Sequence, residues 1–347
     1  MNSTPCLTGL LRGELLDILG EWGEKPYRTK QIWSWIHVKW VSGIDGMTDL
    51  SIDFRRRLGE RFSLCRPRVR SRRLSRDGTI KWLLELADGA FVEMVYIPES
   101  DRGTLCVSSQ VGCSLSCPFC HTGTRPLQRN LGVAEIVDQV ILARSELAVS
   151  GGRVTNVVLM GMGEPLYNHE AVFKAVRIMM DPNGLAIGSR KITLSTAGVV
   201  SRLATVGREL GVNLAISLHA IQDELRNRLV PINKKYNLAS LRQAVLEYPL
   251  KTGRRITWEY VMLAGVNDGD EDARGLVRFL KGIPSKVNLI AFNPWPGTSF
   301  VPSSAERIRE FQDIVGGSGL VTVIRDRRGA DIEAACGQLV GIREGGQ

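Results

Sequence analysis

The chain has 347 residues, 44% of them hydrophobic and 23% charged, with a net charge of +9. That balance excludes a disordered or fibrous chain, and no apolar run reaches the roughly 18 residues of a membrane span. Seven cysteines, an odd number, argue against a disulfide framework, and the absence of a basic and apolar secretory leader sets the expectation of a reducing cytoplasmic location.

Leu10, Leu11, Leu15, Leu16, Ile18 and Leu19 recur at helical spacing, and Pro26 opens a second segment with Ile32, Trp33, Trp35 and Ile36. This predicts helices over residues 9–41, with Trp33 and Trp35 as the core of a small unit rather than as stacking platforms. A third helix follows Thr48, with Ser51 and Asp53 as capping side chains, and the unit ends near residue 64. Residues 1–76 hold fifteen basic and eight acidic side chains, densest from Arg55-Arg56-Arg57 through Arg61, Arg66, Arg68, Arg70, Arg72, Arg73 and Arg76. Such a run is commonly a solvated face. Arginine, though, pairs bidentately with phosphate and stacks on bases, so the excess favours a nucleic-acid substrate.

Residues 81–86 and 91–97 flank Asp88-Gly89, a hairpin signal. Glu93 lies mid-strand: alternation permits a solvated position, or an inward one where desolvation would raise its pKa and suit it to accept a proton. From residue 104 short β-branched runs (105–109, 156–160, 191–195, 213–218, 256–262, 287–292) alternate with helical patterns such as 133–145 and 171–180. Six such units predict parallel strands with right-handed crossovers, hence an α/β fold: a partial (βα)6 TIM-like barrel, with 320–325 as a possible closing strand. The expected division is a helical accessory domain at 1–65, a β-hairpin extension at 66–98 and the barrel at 99–347. Loose chain is expected at the extreme termini and at Gly316-Gly317-Ser318-Gly319.

The first barrel strand runs into Cys113-Ser114-Leu115-Ser116-Cys117-Pro118-Phe119-Cys120, three cysteines spaced C-x3-C-x2-C. Soft thiolates so close together select zinc, copper(I) or an iron–sulfur cluster. A closed zinc site wants four N/S ligands, and His121 would have to fold back on Cys120 to be the fourth. A cubane on three cysteines instead keeps one iron open. This spacing resembles the signature of radical S-adenosylmethionine (SAM) enzymes, whose open iron is chelated by the amino and carboxylate groups of that cofactor.

Barrel chemistry gathers at the C-terminal ends of strands. There the sequence places Gly161-Met162-Gly163-Glu164-Pro165, Ser195-Thr196-Ala197-Gly198, Ser217-Leu218-His219-Ala220 and Asn293-Pro294. Singly, these are a turn, two helix caps, a satisfied histidine and a turn former. Jointly, beside the cysteine loop, they read as the wall of one pocket for a polar cofactor.

With Leu229-Val230-Pro231-Ile232-Asn233-Lys234-Lys235, Phe292-Asn293-Pro294 and Ala334-Ala335-Cys336-Gly337-Gln338-Leu339, these motifs resemble the dual-specificity radical SAM RNA methyltransferases. That family methylates adenosine at C2 in 23S rRNA and in tRNA beside the anticodon, and the similarity runs from Tyr27 to Leu339. It implies that Cys113, Cys117 and Cys120 bind a [4Fe-4S] cluster. Gly163, Glu164, Ser195, Ser217, Leu218, His219 and Asn293 would contact S-adenosylmethionine. Cys336 would carry the methyl group, Cys106 would release the product, and Glu93 would accept the ring proton. An electron donor such as flavodoxin or ferredoxin, a monomeric state and no membrane association are also implied. Cys6 and Cys65 receive no role.

The resemblance further implies a two-thiol chemistry suited to an unactivated sp² carbon. Cys336 takes a methyl group as a thiolate nucleophile. A 5′-deoxyadenosyl radical removes hydrogen from that methyl, the methylene radical adds to C2, and Glu93 takes the proton. Cys106 attacks sulfur, leaving a Cys106–Cys336 disulfide to be re-reduced. The last strand, closing towards the first, is expected to bring the two thiols together. Rival readings are an adenine C8 methyltransferase of the same family, an RNA-binding protein with a structural metal site, and an electron-transfer iron–sulfur protein.

Overall fold

The computed structural model describes residues 4–341; the extreme termini, expected to be loose, lie mostly outside them. After a 3-10 turn at Leu7–Gly9 come helices α1 (Arg12–Glu21), α2 (Tyr27–His37) and α3 (Ile52–Arg61). Leu15, Leu19, Ile32, Trp33, Ile36, Phe54 and Leu58 are buried where helical spacing put them. Ser51 is the cap of α3, its hydroxyl accepting from Phe54 N at 3.3 Å. Trp33 is core as expected, whereas Trp35 is half-buried and donates its indole N–H to Asp49 Oδ1.

The arginine run departs from expectation: Arg68–Leu74 is strand β1, the first of an antiparallel meander with β2 (Ile80–Glu85) and β3 (Phe91–Pro98). It lies at the edge of the sheet and most of it is exposed. An edge strand has little surface to bury, so no apolar alternation marks it, and its charges discourage further pairing. The Asp88-Gly89 turn forms as read, with Gly89 N donating to Leu86 O at 3.0 Å.

The barrel strands are β4 (Gly103–Cys106), β7 (Asn156–Leu159), β8 (Ile192–Thr196), β9 (Asn213–Ser217), β10 (Ile256–Met262), β11 (Ser285–Ala291) and β12 (Val321–Arg325). They pair with one another in parallel, β4 also pairing antiparallel with β3 of the meander, and a small ladder of β5 (Gln110–Val111) and β6 (Arg129–Asn130) frames the cysteine loop. Connecting helices are α4 (Val133–Ala148), α5 (His169–Met180), α6 (Val200–Glu209), α7 (Asp223–Leu229), α8 (Leu238–Leu246), α9 (Asp270–Leu280) and α10 (Ala305–Gly316). The α/β reading and the partial barrel with a meander on its first strand are therefore what the chain adopts. Gly316 ends α10, and Gly319 N closes a turn onto Gly316 O at 2.9 Å, so the expected loose glycine stretch is ordered.

β12 is the free edge of the sheet and does not pair with β4. The open side is crossed by the segment 326–341, a strap that docks on the meander. Gly329 N donates to Asp77 Oδ2 at 2.9 Å, and Ser75 Oγ donates to Asp331 Oδ1 at 2.5 Å. The strap, rather than strand closure, carries Cys336 to the first barrel strand.

Candidate active site

The cysteine loop leaves β5 through Gly112, whose φ of +77 and closeness to Pro126 O (2.2 Å from an added Cβ) admit only glycine. Cys120 N donates to Cys117 O at 3.1 Å and Gly123 N to Cys120 O at 2.9 Å, which curls the three thiols towards one cavity of about 180 Å³. Burial pushes the Cys113 thiol up to about 12 and raises Cys117 and Cys120 as well. At Cys117 the other two thiols add to the rise, so the three groups sit within reach of one another's charge. Three such thiols want a centre that draws off their protons. His121, the alternative fourth ligand, stacks on Trp295 at 4.7 Å instead of folding back. Three thiols lining one cavity, soft ligands once deprotonated, fit an iron–sulfur cluster.

The strand ends meet at the same cavity. Gly163 has φ +99, and a Cβ there would lie 2.5 Å from the Gln110 side chain. Gln110, a residue the sequence did not single out, is fully buried; its Oε1 accepts from Ser114 N at 3.2 Å and Glu164 N at 3.0 Å, tying the cysteine loop to the Gly-Glu-Pro loop. Glu164 accepts from Ala197 N at 2.7 Å and Leu166 N at 3.0 Å, yet burial outweighs these bonds and raises its carboxyl to about 6. Ser195, Ser217 and His219 line the cavity. His219 holds φ +61 and accepts Val261 N at Nδ1 (3.0 Å); burial and Arg226 lower its pKa to about 3, so the ring is neutral. Leu218 is buried and does not line the cavity; its N–H donates to Glu259 O at 3.0 Å.

Arg226 was also missed. Fully buried on α7, it donates to Leu218 O (3.0 Å), Ser217 O (3.0 Å), Ala197 O (2.8 Å) and Asn233 Oδ1 (2.7 Å). Its signal, one arginine in Leu-Arg-Asn-Arg, is indistinguishable from a solvated helix.

A second, polar cavity of about 480 Å³ adjoins the first on the strap side. Cys336 and Asn293 line both, whereas Cys106 lines only the second. Asn293 donates Nδ2–H to Cys336 O at 3.1 Å and accepts Arg327 Nε at 3.0 Å, so it holds the strap in place. Burial, then the Cys336 charge, pushes the Cys106 thiol up to about 12, and Arg325 works against them. Glu93 is inward and buried, with Oε1 3.1 Å from Lys81 Nζ and Oε2 accepting from Val340 N at 2.6 Å and Gly341 N at 3.1 Å. It lines neither cavity.

Comparison with known proteins agrees with this geometry. Residues 107–278 match the radical SAM superfamily, and residues 6–64 match the ribosomal RNA large subunit methyltransferase N-terminal domain. A dual-specificity RNA methyltransferase RlmN from Magnetococcus marinus is 62% identical over 98% of this chain and 96% of its own. The chain belongs to the radical SAM dual-specificity RNA methyltransferase family. A second member, from Bradyrhizobium sp. (strain ORS 278), is 52% identical over 96% of this chain and 88% of its own. The crystal structure of a radical SAM methyltransferase from Sphaerobacter thermophilus matches with a TM-score of 0.94 at 42% identity, covering 97% of this chain and 100% of that one. As in that family, the barrel and the N-terminal helical domain occur in one chain.

Proposed function

We propose that this chain methylates C2 of a specific adenosine in 23S rRNA and in tRNA beside the anticodon, through a methylated cysteine. The observation that carries this reading is the doubled cavity: Cys113, Cys117 and Cys120 line one chamber, Cys106 lines the other, and Cys336 lines both, as Cys120 does at their border. A cofactor chamber and a base chamber that meet at Cys336 suit a methyl group passed from one to the other.

Cys113, Cys117 and Cys120 would hold a [4Fe-4S] cluster. Gly163, Glu164, Ser195, Ser217, His219 and Asn293 would hold S-adenosylmethionine, with Leu218 shaping the strand end behind them. Bound together, cluster and cofactor supply radical chemistry that an unactivated ring carbon needs. Cys336 accepts and presents the methyl group as a thioether. Glu93 would take the proton from C2, and the Cys106 thiolate would attack the Cys336 sulfur, breaking its bond to the bridging carbon, which takes up a proton as the product methyl; the two sulfurs are left as a Cys106–Cys336 disulfide that thiol exchange in a reducing cytoplasm reopens. The boundaries 1–65, 66–98 and 99–347 are proposed as functional divisions, the first for RNA affinity. A flavodoxin- or ferredoxin-type donor and a monomeric state complete the reading; no helix among the described residues is long and apolar enough to cross a membrane.

The test is anaerobic reconstitution with iron and sulfide, then reaction with reductant, S-adenosylmethionine and a 23S rRNA fragment. Nucleoside mass spectrometry showing 2-methyladenosine supports the reading. An 8-methyladenosine product, or a zinc-loaded protein without visible iron–sulfur absorption, overturns it.

A further inference from the structure

Lys81 has no part in the chemistry above, yet it is buried, with only 7% of its side chain exposed. Burying an ammonium group is costly unless it is paired and hydrogen-bonded, and here its partners are the proton acceptor and the strap that bears Cys336. Lys81 Nζ lies 3.1 Å from Glu93 Oε1 and donates to Glu333 O at 3.0 Å. Lys81 and Glu93 are diagonal neighbours on one face of the β2–β3 ladder, since Leu83 is the residue opposite Glu93 and Lys81 is opposite Val95. Glu333 is on the strap, three residues before Cys336. Its φ of +54 is left-handed backbone, which a non-glycine residue adopts only where the surroundings hold it. The other Glu93 oxygen accepts two strap N–H groups beyond Cys336, from Val340 and Gly341.

We infer that Lys81 is a positioning residue that ties the Glu93 carboxylate to the strap carrying Cys336, fixing proton acceptor and methyl carrier in one register. This rests on the function proposed above and adds to it a residue that touches neither cavity. Beyond the Asp77 and Ser75 contacts at residues 329–331, the strap is held to the meander by one cation before the cysteine and one carboxylate after it, and those two groups are bonded to each other. Without the cation, Glu93 loses a partner and the strap loses its tie at Glu333, while the bonds from His121 N to Gly337 O (2.7 Å), Thr122 Oγ1 to Leu339 O (2.6 Å) and Asn293 Nδ2 to Cys336 O (3.1 Å) still hold Cys336 beside the cluster loop and cofactor walls. The defect therefore falls on proton removal and product release, after the methyl group has reached Cys336.

The test compares reconstituted wild type with Lys81→Met, and with Lys81→Gln, which keeps a donor but drops the charge. Cluster absorption reports folding, peptide mass spectrometry reports methylated Cys336, and denaturing gels with a 23S rRNA fragment report covalent adduct. Amide hydrogen exchange follows residues 334–341. The expected result is normal absorption and normal Cys336 methylation, at least tenfold slower product formation, a nuclease-sensitive adduct that builds up although Cys106 is present, and at least tenfold faster exchange at Val340 and Gly341. Wild-type turnover with wild-type exchange overturns the inference, and so does loss of the cluster in both variants, which would make Lys81 a folding residue only. If wild type itself shows neither methylated Cys336 nor RNA product, the failure is that of the proposed function.

Discussion

A desolvated thiol is held in its protonated form, and that sets what Cys113, Cys117 and Cys120 do by themselves. Burial raises all three, and at Cys117 the two neighbouring thiols raise it further, so they are poor nucleophiles and good ligands for a centre that displaces their protons. Replacing any one by alanine is expected to abolish the visible iron–sulfur absorption and to reduce methylation to background; a full cluster in any single variant would remove that residue from the ligand set. Cys106 and Cys336 are different, one buried and one exposed, and their roles separate by order of action. Cys336→Ala is expected to stop the reaction before any RNA is attached. Cys106→Ala should let it start and then trap RNA on Cys336, seen as a slow, nuclease-sensitive band on a denaturing gel. Methylation by both variants without a band would exclude the two-thiol scheme. The cysteine motif was legible because three thiols within eight residues seldom occur except around one inorganic centre. Lys81 and Gln110 were not, because their meaning lies in partners far along the chain.

At the scale of elements, the pocket wall depends on a helix that makes no wall. Arg226 of α7 donates to three carbonyls at the ends of β8 and β9 and to Asn233, so one guanidinium fixes the strand ends that carry Ser195 and Ser217. Desolvation lowers its pKa to about 10, which still leaves it charged at neutral pH. Arg226→Met should cost about 3 kcal/mol or more, since buried carbonyls are left unpaired, and denaturant titration with a lowered midpoint checks it. An unchanged midpoint would mean that the strand ends hold themselves. The barrel strands were readable within a residue or two, because a buried parallel strand is a short apolar run bounded by polar ends, except the first, read at 105–109 and found at Gly103–Cys106, where the apolar run continues into the loop. β1 and the strap were not. β1 is an exposed edge rich in arginine, and the strap has only the short 3-10 turn Ala330–Ile332 to give it a periodic pattern.

Across the whole molecule, the positive charge is shared between structure and solvent. Arg55, Arg56 and Arg57, the densest part of the run in sequence, donate to Asp45 O, Glu60 and Glu24. Arg68 and Arg72 on β1 are exposed. Replacing Arg68 and Arg72 together with serine should lower the slope of log K against log salt for RNA by about 1.5 to 2, as two fewer phosphates are neutralised; an unchanged slope would leave these side chains to solvation alone.

The seam between helical unit and barrel titrates. Lys174 Nζ lies 2.7 Å from Glu14, Arg12 Nε lies 3.0 Å from Asp181, and Arg66 pairs with the buried Asp138. His37 is fully buried against Trp33, with ring centroids 4.1 Å apart and neither nitrogen hydrogen-bonded. Burial first, and the Arg66 charge second, lower its pKa from 6.5 to about 3, against a smaller opposing pull from Asp181. Between those two values the unfolded chain binds a proton at His37 that the folded chain refuses. Stability from this group is thus complete above about pH 6.5 and falls by about 1.4 kcal/mol per pH unit as the pH drops. His37→Leu keeps the volume and removes both unpaired nitrogens, so it should equal or exceed wild type at pH 7.5 and lead it by an increasing margin towards pH 5. Urea titrations at the two pH values measure that margin, and parallel losses in both proteins would show that acid acts elsewhere than at this seam.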